Sequence, residues 1–526
     1  MSADGILLNG RIETLAGQRA TALAWTGEQI LAVGSDDEIR ALRGKTTEVV
    51  DLRGRLVLPA FSDAHTHFAA YALNRSRVDL KGVDSLAEAG RRVGEAAERS
   101  SSDSWILGRG WLHDLWGGDL PSKELLDAAA PGRPVALARG DGHGLWVSSE
   151  ALTRAGIGRD TADPSGGKIL RDAAGEPTGV LSERAMDLVY RIIPPSTHAE
   201  MAEAIRAALP IAHAAGLGSV TCMEDFAVYR VYRSLAERGE LSLRVGMCLA
   251  VDDFDEEIDL VEREGRGDAR LHWTQLKIFS DGALNPRTAW MLEPYADDPS
   301  NVGICVTPAD ELRRLAERSA RAGFACAVHA IGDAANRVVL DAFEVTHPLW
   351  ASQGLRPRIE HAQTVAPVDV SRFGRLGVIA SMQPIHCTQD MFVADKALGR
   401  VARTAYPIRS LLNGGARLAF GSDTPVETFD VLQGLYAATT RRRADGTPPE
   451  GWYSEERLAL PDAVAAYTRG AAFAEYEEGR KGTLEPGKLA DLVVLSEDIF
   501  AEPPEVLLRT RVIGTVVGGC WVYRTE

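Results

Sequence analysis

The chain has 526 residues, 45% of them apolar and 25% charged, an ordinary globular composition that excludes disorder and collagen-like repeats. It has no uninterrupted apolar run of about 18 residues, so no membrane span is expected. Its 58 basic and 74 acidic side chains leave a net charge of −16, which repels phosphate backbones and anionic lipid surfaces, so neither nucleic acid nor a membrane is an expected partner.

At about 150 residues per domain the length suggests three to four domains, although α/β barrels run well beyond that as single units. The opening MSADGILLNGRIE has no basic segment followed by an apolar core of signal-peptide length, and the expected location is the cytoplasm. Six cysteines (Cys222, Cys248, Cys305, Cys326, Cys387 and Cys520) are spread at long spacings without a C-x-x-C pair. That pattern suits reduced core thiols better than disulfides or a thiolate zinc site. Any metal is therefore expected on histidine and carboxylate.

The first sixty residues read as short strands at Ile6 to Leu8, Thr21 to Trp25, Gln29 to Val33 and Glu48 to Leu52, punctuated by Asn9-Gly10, Thr26-Gly27 and Arg53-Gly54. The C-terminal stretch behaves the same way. Gly482 to Gly487 leads into the apolar run Ala490 to Leu495, and Val512 to Val517, Gly518-Gly519 and Cys520 to Tyr523 form an expected hairpin. Neither piece is long enough to bury a good core alone, so residues 1–58 and 480–526 are expected to join into one composite β-sandwich.

Between them, helical patterns alternate with short apolar runs, as in Ala199 to Ala215 followed by Gly218 to Met223. Such alternation predicts a parallel sheet wrapped by helices. Further strands are expected at Leu243 to Leu249, Trp273 to Phe279, Phe324 to Val328, Arg358 to Glu360, Val378 to Met382 and Arg417 to Phe420. With Leu56 to Phe61 and the run at 218–223 they make about eight, the number that closes a (β/α)8 barrel over residues 59–69 and 196–479. Residues 70–195, rich in Gly, Pro, Trp and Asp, interrupt the rhythm and are read as a lobe inserted after the first barrel strand and covering the active site.

The sharpest local signal is Asp63-Ala-His65-Thr-His67. Residues i and i+2 of a strand point the same way, so both imidazoles can reach one cation. An isolated H-x-H also fits a surface or core role, and its weight depends on whether further ligands occur downstream in the chain. His329, His361 and Asp423 each end an apolar run, placing metal-competent side chains at the carboxyl ends of expected barrel strands, where such barrels carry their active sites. Lys277 lies inside another apolar run; lost hydration favours its neutral amine, which can capture carbon dioxide as a carbamate able to bridge two divalent ions. The alternative is an uncarboxylated lysine paired with Asp281 or Glu360.

Taken with Lys277-Ile-Phe-Ser-Asp281-Gly, His329-Ala-Ile-Gly-Asp333, Ile359-Glu-His361-Ala-Gln363, Gly421-Ser-Asp423-Thr-Pro425 and Gly482-Thr-Leu-Glu-Pro-Gly-Lys-Leu-Ala-Asp491, the H-x-H segment resembles the metal-dependent amidohydrolase superfamily. More narrowly, the set is similar to the branch that includes N-substituted formamide deformylase, and the match spans Ile30 to Gly519. The resemblance implies a distorted barrel with a composite β-sandwich and a metal centre. His65, His67, a carboxylated Lys277 and Asp423 are expected to hold one ion, and Lys277, His329 and His361 the other. Zinc is the default for such ligands, with one or two ions per chain; iron, manganese and cobalt tolerate similar sets. Pro59-Ala60-Phe61 departs from the pattern, since relatives usually carry glycine in the middle, but it removes no ligand.

The implied activity is hydrolysis of carbon–nitrogen bonds other than peptide bonds in a small amide, N-acyl or N-formyl substrate. A metal-held hydroxide would attack the carbonyl, with Asp423 as general base and then acid. Arg139-Gly-Asp-Gly-His143 resembles a segment reaching back over the pocket, where His143 would steady an oxyanion; a histidine held by its own turn is the alternative. Trp111, Trp116 and Trp146 are candidates for an apolar pocket or for core, and Gly108-Arg-Gly110 lacks the context of a nucleotide loop. A deaminase, an ester or lactone hydrolase, and a non-catalytic barrel remain as other readings. The expected partner is the small-molecule substrate, with a homodimer as a candidate assembly.

Overall fold

A computed structural model describes residues 2–101, 103–118, 120–140 and 143–525. The chain divides into two compact units, one of Met1–Ala69 with Arg206–Glu526 and the other of Ala70–Ile205.

The first unit is built around an eight-stranded parallel sheet. Its strands are β1 (Phe61–Thr66), β2 (Leu217–Cys222), β3 (Arg244–Ala250), β4 (Leu271–Phe279), β5 (Cys326–Ala330), β6 (Arg358–His361), β7 (Ile379–Met382) and β8 (Arg417–Phe420), in that spatial order. A parallel bridge from Thr66 to Thr424, with Asp423 N–H donating to the His65 carbonyl at 2.8 Å, brings the end of β8 back against β1, so the barrel nearly closes. Helices cover the sheet, so nearly every residue of the strands is buried and they read as continuous apolar runs. The helix Ala309–Arg321 shows the complementary pattern, burying Leu312, Leu315, Ala316, Ser319 and Ala320 at helical spacing.

The same unit contains a four-stranded and a six-stranded sheet. The six-stranded sheet runs in the order Cys520–Arg524, Val512–Val517, Leu492–Leu495, Leu56–Pro59, Arg11–Glu13, Arg19–Ala20, so strands from both ends of the chain meet within it. Leu7, Leu23 and Trp25 of the other sheet share one apolar core with Val57, Leu492 and Val516. A buried pair with the barrel's own β3, in which Arg244 donates two hydrogen bonds to Asp491 at 2.6 and 2.9 Å, fastens this region to the barrel.

One strand differs from the sequence reading. Leu56 to Phe61 is not the first barrel strand: Leu56–Pro59 pairs with Leu492–Leu495 and Arg11–Glu13, and β1 begins at Phe61. Pro59 still pairs with Leu492 and the Ala60 N–H donates to the Asp491 carbonyl at 3.1 Å, whereas the Phe61 N–H donates to the Gly216 carbonyl at 3.0 Å, so the crossing falls between Ala60 and Phe61. The H-x-H motif therefore straddles the end of β1, with His65 inside the strand and His67 just past it. Phe324 and Ala325 precede β5, which runs on to Ala330.

The second unit holds a six-stranded sheet ordered Gly167–Arg171, Pro177–Glu183, Gly144–Val147, Val135–Arg139, Ile106–Trp111, Val78–Asp79. It extends to Ile205, ten residues past the expected limit at 195, because the division falls inside the helix His198–Ala214. Trp111, Trp116 and Trp146 pack against one another with ring centroids 5.9 to 6.2 Å apart, and their indole N–H groups donate to backbone carbonyls. They form core, not a ligand pocket. Of the cysteines, Cys305 and Cys520 are exposed, which corrects the expectation that all six sit in the interior. Among the described residues no helix is long and apolar enough to cross a membrane.

Candidate metal centre

Five strands of the barrel, β1, β4, β5, β6 and β8, deliver the expected ligands to one end. His65 lies in β1 and His67 just past it, Lys277 is two residues from the end of β4, His329 is the penultimate residue of β5, His361 ends β6, and Asp423 follows β8 by three residues. One donor atom from each of His65, His361 and Asp423 lies within 4.8 Å of the other two, close enough to share a cation. His65 Nε2 and His67 Nε2 stand 3.4 and 3.5 Å from Asp423 Oδ1, and the His329 and His361 ring centroids are 4.6 Å apart. His65, His361 and Asp423 are thus brought together at the carboxyl end of the barrel, with His67 beside Asp423 and His329 beside His361.

The backbone is bent to achieve this. His361 and Asp423 adopt φ values of 70° and 58°, left-handed conformations that cost about 1–3 kcal/mol each for residues other than glycine and that cluster at functional sites. Gly421 allows β8 to approach β1: a Cβ there would meet His65 N at 2.5 Å and Asp63 Oδ1 at 2.8 Å. Asp63 Oδ1 accepts the N–H groups of His65 and Ser422 at 3.1 and 2.9 Å and so clasps the two strands.

A further set of side chains holds the ligands. Glu360 Oε2 accepts from His65 Nδ1 at 2.6 Å, leaving His65 Nε2 to face Asp423. The other Glu360 oxygen takes Arg358 Nε, and Arg358 Nη2 donates to the Ala64 carbonyl at 2.6 Å. Gln383 Oε1 accepts from His361 Nδ1 at 2.8 Å, and His329 Nε2 donates to the Gly282 carbonyl at 3.0 Å.

Lys277 is 5% exposed, and its Nζ has no hydrogen-bond partner among the described residues. Neither suspected partner takes it. Asp281 accepts three backbone N–H groups, from Trp290, Ile331 and Gly332, at 2.8 to 3.0 Å, and Glu360 is committed to Arg358 and His65. The pairing alternative considered from the sequence is therefore not the arrangement found.

Burial dominates the electrostatics. It pushes the Lys277 ammonium below its usual range, against the pull of the Glu360 and Asp423 carboxylates. It lowers His67 and His329 to about 4, with the Lys277 charge acting in the same direction, and holds His65 and His361 well below the usual imidazole range. The imidazoles are thus neutral, as metal ligands must be. Asp423 is raised to about 7 by burial, opposed by the charge on Lys277.

One residue at this end of the barrel escaped the sequence reading. His386, in the first turn of the helix Pro384–Leu398 after β7, places Nε2 3.9 Å from Asp423 Oδ2 and stacks on His361 with centroids 6.1 Å apart. Its position past a strand end, in Gln383-Pro-Ile-His386, was the available signal. His143 lies in the second unit, where it is exposed and its Nδ1 is 3.0 Å from Glu183 Oε1; Asp141 and Gly142 of its segment are outside the described residues.

A near-closed parallel barrel with histidine, lysine and aspartate at its strand ends is the architecture of a metal-dependent hydrolase. Residues 48–523 match the amidohydrolase family, and the chain belongs to that family. It is 35% identical to Protein LONG AFTER FAR-RED 3 of Arabidopsis thaliana, over 99% of this chain and 92% of that one. It is 27% identical to N-substituted formamide deformylase of Arthrobacter pascens, over 99% and 98% of the two chains. Among solved structures, an uncharacterized metal-dependent hydrolase from Pyrococcus furiosus superposes with a TM-score of 0.78 at 29% identity, covering 95% of this chain and 99% of that one.

Proposed function

We propose that the protein hydrolyses carbon–nitrogen bonds other than peptide bonds in a small amide, N-acyl or N-formyl substrate. The observation that carries this reading is the convergence of His65, His361 and Asp423 donors within 4.8 Å beside a buried lysine amine with no hydrogen-bond partner among the described residues. The likeness to a relative named for deformylation of N-substituted formamides supports the substrate class.

The donor set fits a divalent ion, with zinc the default for buried imidazole and carboxylate. His65, His67, Lys277 and Asp423 would hold one ion, and Lys277, His329 and His361 a second. When bound, the metal supplies Lewis acidity and makes water more acidic.

The remaining steps belong to the chain. The neutral Lys277 amine adds to carbon dioxide, forming a nitrogen–carbon bond and releasing one proton to water. The resulting carbamate carries one negative charge shared over two oxygens. Asp423 would accept a proton from the water that attacks the substrate carbonyl. As the carbon–nitrogen bond breaks, its electron pair stays on nitrogen, and Asp423 returns the proton there so that a neutral amine departs. Glu360, Gln383 and the Gly282 carbonyl hold the imidazoles in orientation throughout. His143 is the second candidate for catalysis, on its sequence context alone.

A turnover screen of the metal-supplied protein across amides, N-formyl amines, esters, lactones and amino-heterocycles tests the proposal. Hydrolysis of amides supports it. Turnover confined to esters or amino-heterocycles points to the alternative chemistries on this scaffold, and no turnover with any class would overturn it.

A further inference from the structure

A cavity of about 390 Å³ opens at the carboxyl ends of β2, β3 and β4. Met223, Leu249 and Leu315 form a buried apolar wall, and Phe279 and Val306, 47% and 52% exposed, stand along it. Phe279 gives up burial that its neighbours in β4 obtain.

The cavity touches the candidate metal centre through Lys277, the one expected ligand in its lining. Lys277, 5% exposed and with no hydrogen-bond partner for Nζ among the described residues, lines it. The Phe279 ring lies 4.8 Å from Lys277 Nζ and 5.4 Å, centroid to centroid, from the His329 ring.

Apart from Lys277, its charged lining is acidic. Glu224, Asp225, Asp252 and Glu311 contribute carboxyl groups. Asp225 also caps the helix Phe226–Glu237 through the Val228 N–H at 3.1 Å, and Glu311 is paired with Arg314 one turn along its helix. Asp252 is exposed. Lys277 is the cation on the wall itself, and its carboxylation would replace that cation with an anion.

We infer that this cavity is the substrate-recognition pocket and that it selects an amide whose nitrogen or acyl group carries an apolar chain ending in a cation, such as an ammonium or guanidinium group. The inference rests on the hydrolase reading above. The chain's methylenes are removed from water against Met223, Leu249 and Leu315. The cation lies against the electron-rich face of Phe279 and the carboxylates of Asp252 and Glu311, where an anion is repelled.

Three formamides of matched length test it: N-formyl-1,4-diaminobutane, N-pentylformamide and N-formyl-5-aminopentanoate, respectively cationic, neutral and anionic. The cationic substrate should show kcat/KM about tenfold or more above the neutral one, with the anion poorest, the scale of a cation–π contact plus a carboxylate. In Asp252→Asn and Glu311→Gln the ratio of cationic to neutral kcat/KM should fall toward one, chiefly through KM.

Direct binding of pentyltrimethylammonium, 1-hexanol and hexanoate, measured by calorimetry on the metal-loaded protein, separates the pocket from the reaction. Preferential binding of the cation that weakens in Asp252→Asn supports the pocket even if formamides are not cleaved, in which case the hydrolase reading fails alone. Equal binding of the three probes, or a preference for the neutral or anionic formamide, would overturn the inference.

Discussion

Glu360 accepts a hydrogen bond from His65 Nδ1 at 2.6 Å while its other oxygen takes the Arg358 guanidinium, so one carboxylate sets a ligand's tautomer and neutralises a fully buried cation. Replacing Glu360 with Gln keeps the shape but removes the charge. Outer partners of this kind are worth about 10- to 100-fold in metal affinity. Leaving Arg358 buried without its counter-ion costs about 3–5 kcal/mol. Chelator competition and urea denaturation on one preparation should show both losses; unchanged metal affinity would mean that His65 orients without Glu360.

Lys277→Met should empty at least one metal position. Because Nζ has no hydrogen-bond partner among the described residues to lose, the metal-free variant should be as stable as the metal-free parent or more so, since a buried polar group is replaced by an apolar one of similar volume. Elemental analysis and denaturation midpoints read the two effects. Intact-protein mass in bicarbonate buffer should show a carboxyl increment on the parent alone. Full metal occupancy in the variant would rule out a bridging role.

Asp423→Asn keeps the size and one oxygen able to face the metal but loses the basic site. Metal content should be largely retained while turnover falls by about 100- to 10,000-fold, the range of general-base contributions. Near-normal turnover with full metal would place the proton elsewhere, with His143 the next residue to replace.

His386 Nε2, 3.9 Å from Asp423 Oδ2, is positioned to steady that carboxylate. His386→Leu should lower kcat by about 10- to 100-fold with little change in metal content, and His386→Gln, which keeps an N–H donor, should restore part of the loss. Equal activity in the two variants would show that His386 only fills space.

The buried Glu257 carboxyl is pushed up to about 8, chiefly by burial, with the Ala250 N–H opposing the rise. The folded state therefore binds more protons than the unfolded one between the ordinary value of 4.5 and 8. This contribution to stability is fully present below 4.5 and is lost as pH rises through 8. His272 has the opposite sign: lowered to about 4 by burial, it contributes above its ordinary 6.5 and fails as pH falls through 4. Urea midpoints of the metal-free protein should decline less steeply toward alkaline pH in Glu257→Gln than in the parent; identical slopes would remove Glu257 from the balance.

The sequence by itself determined the barrel, because strands covered by helices must be apolar along their whole length, and such runs betray themselves without any partner in view. It also determined which side chains stand at the strand ends: His329, His361 and Asp423 are polar interruptions of those runs, and only function or a buried bond retains them there. Tertiary structure decided what depends on contacts between residues far apart in the chain. Whether Leu56–Pro59 belonged to the barrel turned on pairing with Leu492–Leu495, more than 430 residues away. The orientation of His65 turned on Glu360, 295 residues on, and the isolation of Lys277 on where Asp281 and Glu360 found their own partners. Local pattern records burial, which each residue satisfies for itself; hydrogen bonds and charge compensation need two addresses, and only the closed barrel supplies the second.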